Sequence, residues 1–374
     1  MSAKCHDDVI EAILSAIRPR RGVLRLLGRV QDSRLGHSTA DDVFFLIPDL
    51  HLLTPRRQRA FGKREFNYRD IGLLGEILSA MAVLKKQWDK DGTTKLRTFQ
   101  LGDFFDIWRE FPGQVDPSKV GDEVYSQLRD VLYRGVYRGL SCLKASFLVG
   151  NHDVRDDDRL PELNFWTKAF NYSRRASDKP FFLAFHGDVF DFIEKFPTFI
   201  KSLMVNIVGT LTPLKTYPVG VDMTRINKPL KDLTAAITEP DHTLSALGAP
   251  RVTGGEKLPR YLCNIVTNLK SQPLPHKYLG RVHEMIEMAR REDLTGSNVR
   301  IVAIGHTHQA KMAFYAPETE EPPILLMDIG AWIENCSYPR DEDGQFVTEP
   351  SAQIGVIHAN DARLYQIYVP SPGD

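Results

Sequence analysis

Five short segments of this 374-residue chain carry side chains that could do chemistry together. They read Asp49-Leu50-His51, Gly102-Asp103-Phe104-Phe105-Asp106, Gly150-Asn151-His152-Asp153, His186-Gly187-Asp188 and Gly305-His306-Thr307-His308. Each puts Asp, Asn or His just after a short apolar run. Carboxylate, amide and imidazole donors with no thiolate among them suit Mn²⁺, Fe²⁺ or Zn²⁺ more than Ca²⁺. Phosphoesters are one target that two metal ions held by such a set could serve. They resist hydrolysis because their charge repels nucleophiles and their leaving group is poor, and two divalent ions about 3.5–4 Å apart answer both problems. His306 and His308 are two residues apart. On an extended strand they would face one side; on a turn after a strand they can splay to different ions. Gly150 and Gly305 let the backbone come close to such ions. Asp-Leu-His taken alone reads as surface or cap residues, so it is the recurrence of the pattern that points to a site.

The elements that must position these residues are strands. Residues 43–48 are predicted as a buried strand with Asp49 and His51 at its C-terminal end. Residues 97–101 lead to Gly102-Asp103, 146–149 to Gly150-Asn151-His152, 181–185 to His186, and 300–304 to Gly305-His306. Sites in α/β folds gather where strand ends converge. Asp70 is expected to N-cap a helix with Ile71, Leu74, Ile77, Leu78 and Met81 on one face. Further helices are expected over 124–140 and 283–291. Residues 324–327, 355–358 and 364–369 read as late strands of a second sheet. Asp328 and Trp332 follow one of these strands near the site, either as support for the metal shell or as packing.

The order and residue types of the five segments resemble the calcineurin-like metallophosphoesterase superfamily. That resemblance implies a four-layer α/β/β/α sandwich and two divalent metal ions, with Mn²⁺ expected and Fe²⁺ or Zn²⁺ as alternatives. Carried over by position, Asp49, His51 and His308 hold the first ion. Asn151, His186 and His306 hold the second, and Asp103 bridges both. His152 would sit by the substrate as general acid or phosphate-oxygen contact, oriented and charged by Asp153 or Asp106. Protein phosphatases of the superfamily usually continue the second motif with Arg-Gly and end the third in Glu. Here Asp106 is followed by Ile107-Trp108, and the third motif ends in Asp153.

The flanking residues Leu52, Ile107-Trp108, His186-Gly187-Asp188 and Gly330-Ala331-Trp332 instead resemble the UDP-2,3-diacylglucosamine pyrophosphatases. Those enzymes cleave a pyrophosphate bond in a nucleotide-activated lipid. The best-known branch has Arg where His152 stands, while related branches keep His. Two substrate classes are therefore expected: a nucleotide lipid, or a small soluble phosphoester such as a nucleotide, met by a phosphatase or phosphodiesterase. A non-catalytic scaffold is disfavoured, because such members lose metal ligands and here every ligand position is filled.

Lys plus Arg and Asp plus Glu are equal at 48 each, so bulk charge gives no pull toward nucleic acid, and none is expected as a partner. The basic cluster Arg18-Pro19-Arg20-Arg21 leaves room for peripheral membrane contact. Cys5, Cys142, Cys263 and Cys336 show no CxxC spacing for zinc or redox work, and their sparsity fits a reducing compartment. Asp7, Asp8 and Glu11 interrupt the place of a signal-peptide apolar stretch, and no apolar run reaches the roughly 18 residues of a transmembrane helix. A cytoplasmic protein is the expectation. Val9, Ile10, Ile13, Leu14 and Ile17 recur at helical spacing, giving an amphipathic helix that docks on the core or on a membrane. Residues 1–42 read as a helical N-terminal appendage and 43–374 as the metallophosphoesterase domain. Within that domain, 190–299 reads as an insertion or lid whose apolar start, 190–208, could hold acyl chains or pack as core. Lys195, Lys201 and Lys215 could meet phosphate or solvate a face. His6, His37, His242, His276 and His283 read as surface or packing residues, and His358 as structural.

Overall fold

The computed structural model describes residues 3–18, 23–35, 42–54, 68–92, 94–106, 134–150, 152–153, 166–167, 169–172, 181–188, 278–291, 298–308, 310–316, 322–332 and 352–368. Strand β2 (Asp42–Ile47) is buried along its whole length, as a strand covered on both faces must be. Beside it run β3 (Lys95–Gln100), β4 (Ser146–Leu148) and β5 (Trp166–Thr167), each parallel to the one before. On its other side lie β11 (Gln353–His358), β12 (Asp361–Tyr368) and β1 (Val23–Gln31), all joined by antiparallel pairing. The second sheet has the order β6 (Ala169–Tyr172), β7 (Phe182–Phe185), β8 (Ile301–Ile304), β10 (Ile324–Asp328) and β9 (Lys311–Tyr315). Its inner strands β7, β8 and β10 are parallel and its edges antiparallel. The chain is thus mixed α/β, with two mixed sheets and helices.

Strand periodicity divides the apolar residues between separate cores. Phe44 and Leu46 of β2 meet Phe182 and Ala184 of β7, Ile301 and Ala303 of β8, and Leu325 and Met327 of β10. The alternate residues Val43, Phe45 and Ile47 turn toward helices α1 (Ala3–Ile17), α2 (Tyr68–Asp91) and α3 (Arg134–Leu143). Val302, Ile304 and Leu326 turn toward helix α4 (Leu279–Arg291), where Leu279, Val282, Met285 and Ile286 are buried. One core therefore lies between the sheets, and one lies on the outer face of each. Among the described residues, no helix is long and apolar enough to cross a membrane.

Several expectations change in detail. Helix α2 begins at Tyr68, so Asp70 lies in its first turn and is not its N-cap; the helix continues to Asp91 and buries Trp88. Strands β11 and β12 belong to the large sheet beside β2, not to the second sheet; a strand pattern reveals the strand but not its neighbour. Within residues 1–42, the described elements α1 and β1 pack on the large sheet. Helix α1 buries Val9, Ile10, Ile13 and Ile17 in the large sheet's outer core, and β1 is that sheet's edge strand. Edge exposure explains why β1 went unread, since most of its residues face solvent and no buried alternation marks it. Of the expected helix 124–140, residues 134–140 fall in α3 and the rest lies outside the described residues. The apolar segment 190–208 and most of the expected insertion also lie outside them. Within its last part, helix α4 packs on the second sheet.

Candidate metal centre

The site is assembled by two loops that hydrogen-bond to each other. His51 N–H donates to Asp103 O at 2.8 Å, Leu52 N–H to Phe104 O at 2.9 Å, and Asp106 N–H to Leu52 O at 3.2 Å. Phe104 and Phe105 anchor this pair of loops in the helix-side core. From the second sheet, His186 follows β7, and His306 and His308 follow β8. The turns are tight. His51 and Asp103 both have φ 45°, His306 φ 69° and His308 φ 57°, in the left-handed region that non-glycine residues avoid. Glycines make room for the carboxylates. A Cβ on Gly305 would run into Asp49 Oδ1, and one on Gly150 into Asp103 Oδ1.

The donor atoms converge in groups that could hold metal ions. One joins Asp49, His51 and His308; another joins Asp103, His186 and His306. In the first, His51 Nε2 is 2.9 Å from His308 Nε2, which is 3.4 Å from Asp49 Oδ2. In the second, His186 Nε2 is 3.1 Å from His306 Nδ1 and 3.2 Å from Asp103 Oδ2. That same Asp103 oxygen is 3.5 Å from His51 Nε2, so it lies between the groups. His306 and His308 splay apart, one to each group.

The surroundings suit a cation. Asp49 Oδ2 accepts the His306 N–H at 2.7 Å, while its buried Oδ1 has no hydrogen-bond partner among the described residues. Burial pushes the Asp49 carboxyl up to about 6, with His186 opposing. A buried carboxylate oxygen without a donor is costly unless a cation meets it. Burial also pushes His51 down to about 4 against the pull of Asp106, leaving the neutral imidazole that a metal requires. His51 Nδ1 lies 3.1 Å from Asp106 Oδ2, and His186 Nδ1 lies 2.9 Å from Leu101 O. Each ring can therefore donate from Nδ1 and keep Nε2 for a metal, the arrangement that fixes ligand histidines. Burial works against charge on Asp103 and His186 alike. The imidazoles of His186 and His152 nonetheless hold Asp103 well below the usual carboxylate range, and Asp103 and Asp49 hold His186 well above its usual value.

The two carboxylates expected beside His152 have different partners. Asp106 is fully buried, and its Oδ1 is 2.9 Å from His152 Nδ1. Its two oxygens thus link His152 to the ligand candidate His51. Asp153 instead accepts backbone N–H groups from Phe105 at 2.9 Å and Gly150 at 3.0 Å, closing the loop around Asp103. Burial, aided by Asp103, pushes its carboxyl up to about 8, with those N–H donors opposing. The His152 backbone N–H donates to Asp103 Oδ1 at 2.8 Å.

The structure therefore brings together Asp49, His51, Asp103, Asp106, His152, Asp153, His186, His306 and His308, while Asn151 lies outside the described residues. Sequence reasoning passed over Thr307, whose hydroxyl donates to Asp328 Oδ2, and Gln353, which accepts the Ala331 N–H at 3.1 Å. The only signal for Thr307 was its place between two ligand histidines. His283 packs edge-on against Tyr315, away from the site, and His358 is buried in β11. No protein-family model matches this chain, and no curated protein matches it.

Proposed function

We propose that this chain is a dinuclear, metal-dependent hydrolase of phosphoester or pyrophosphate bonds, of the calcineurin-like metallophosphoesterase type. The observation that carries the reading is Asp103, one of whose oxygens lies within 3.5 Å of His51 and 3.2 Å of His186. A carboxylate between two donor groups is what a shared ligand requires. Asp49, His51 and His308 would hold one ion, His186 and His306 the other, with Asn151 completing the second group by sequence order. Two bound divalent ions, Mn²⁺ by preference, would supply charge neutralisation for the phosphate and acidify a water. The cores between and outside the two sheets support the four-layer α/β/β/α reading.

His152 supplies the proton that the departing oxygen needs. Asp106 takes up Nδ1 of its ring, so Nε2 is the transferring nitrogen. Because Asp106 also meets His51, the proton donor is held in register with the metal-binding groups. The ring is only partly buried, with 13% of the side chain exposed, which lets it meet a substrate from solvent.

For the substrate we favour a nucleotide-activated lipid with a pyrophosphate bond. The flanking sequence supports it, and Gly330-Ala331-Trp332 packs directly on Asp49 through the Trp332 N–H donating to Asp49 O at 2.8 Å. A soluble nucleotide or other small phosphoester is the alternative. The test is a panel of a UDP-linked diacyl lipid, an aryl phosphodiester and an aryl phosphomonoester, each assayed with Mn²⁺ and with chelator. Mn²⁺-dependent hydrolysis strongest on the lipid pyrophosphate is expected. Hydrolysis of the aryl esters alone would favour the soluble substrate, and no hydrolysis of any member by Mn²⁺-loaded protein would overturn the reading.

A further inference from the structure

Each donor group draws on both sheets. Asp49, His51 and Asp103 come from loops after β2 and β3 of the large sheet, whereas His186, His306 and His308 come from the second sheet. A small slide of one sheet over the other would pull both groups apart, so something must fix the sheets where the ligands meet.

Residues 328–332 occupy that place. Asp328 ends β10 and pairs in parallel with Ile304, the last residue of β8 before Gly305-His306. The next residue, Ile329, donates its N–H to Ile304 O at 2.9 Å. The Asp328 carboxylate is fully buried; Oδ2 accepts the Thr307 hydroxyl and Oδ1 the Gly330 N–H at 3.3 Å. The chain then crosses to the large sheet. Ala331 bridges to Asp49, the Trp332 N–H donates to Asp49 O at 2.8 Å, and the Trp332 indole donates to Gln353 O at 2.8 Å. One end of the segment thus grips the loop of His306 and His308, and the other grips the backbone of Asp49.

We infer that residues 328–332 are a strut fixing the spacing of the two donor groups, and that Asp328 and Thr307 are positioning residues for His306 and His308. The inference rests on the dinuclear reading above. Thr307 is the pivot because its neighbours on both sides are ligands with left-handed backbone. Such residues are strained and persist only where the surroundings hold them. The hydroxyl of Thr307 ties this loop to a buried carboxylate, beside the backbone bonds from Thr307 N–H to Gly305 O and from Gly305 N–H to His186 O.

The test is Mn²⁺ titration by calorimetry on the full chain, with thermal melting of the metal-free protein as control. Thr307→Val keeps the branched shape and removes the donor, while Thr307→Ser keeps the donor. Thr307→Val should weaken Mn²⁺ binding about 10- to 100-fold, the usual effect of removing a group that orients ligands, with metal-free melting unchanged. Thr307→Ser should bind as the parent does. Equal affinity in Thr307→Val and parent overturns the strut while leaving the metal reading intact. So does weakening that Thr307→Ser fails to restore, or a fall in metal-free melting that accounts for the loss. A parent protein that binds no Mn²⁺ overturns the dinuclear reading and the strut with it.

Discussion

With Nδ1 2.9 Å from Asp106 Oδ1, His152 has one ring nitrogen engaged and its backbone tied to Asp103. Its ring joins His51 and Asp106 in a third donor group, outside the two that Asp103 lies between. His152→Ala should therefore keep the metal content and lower turnover about 10²- to 10⁴-fold, the range for loss of a general acid. A substrate with a very good leaving group should recover part of the loss. Loss of bound metal in a well-folded variant would instead make His152 part of the metal-binding set. His186 gives a second prediction. Burial alone would strip its charge, but Asp103 and Asp49 hold its proton well above the usual histidine value in the metal-free protein. A metal needs the neutral ring, so binding must expel that proton. Mn²⁺ affinity should rise with pH and fall as pH drops, by about tenfold per pH unit for each proton displaced. Titrations at several pH values read this directly, and pH-independent affinity would contradict it. At this scale the sequence named the Asp and His residues that converge in the structure, because such donors recurring after strand-like runs stand out. It left Asp106 and Asp153 as equal candidates beside His152, since both stand within three residues of a ligand position. Only the turn after β3 decides which carboxylate reaches the imidazole.

Strands β2, β7 and β8, which lead to donor residues, were legible because they are buried along their whole length and read as apolar runs. Strand β1 was not, because it is an edge and its residues are mostly exposed. What holds it is partly polar. Arg29 reaches Asp361 of β12 through Nη2 at 2.8 Å, and Arg363 meets the same carboxylate at 2.7 Å. Burial works against charge on Asp361, yet the two guanidinium groups hold it below the usual carboxylate range. Asp361→Ala should destabilise the protein by about 2 kcal/mol, as expected for lost hydrogen bonds to charged groups. The sign with pH follows from the lowered value. The carboxylate stabilises the fold above the ordinary Asp range and loses that effect as pH falls through its folded value. Denaturant melts should therefore show parent and variant converging in acid; a gap that widens there would contradict the pairing. Thr307 and Asp328 were hidden for another reason. Their contact depends on the β8–β10 register, which brings residues 21 apart together, and spacing in the chain does not encode register.

Across the whole molecule, alternation along β2, β8 and β10 sends apolar residues to one core between the sheets and one outside each. That arrangement turns the ends of β2, β3, β7 and β8 toward one another, so that donors far apart in sequence meet. The sequence indicated mixed α/β structure from its strand-then-ligand rhythm. It misassigned β11 and β12 because the sheet a hairpin joins is chosen by tertiary packing. The central claim is that the meeting point holds two bridged ions. Elemental analysis of the chain after saturation with Mn²⁺ and removal of the excess tests it most directly, run beside Asp103→Asn. Two ions per parent chain are predicted, with occupancy falling at both positions in Asp103→Asn because the shared negative charge is gone. A well-folded parent that retains no Mn²⁺, or a variant that retains both ions as tightly as the parent, would contradict the account.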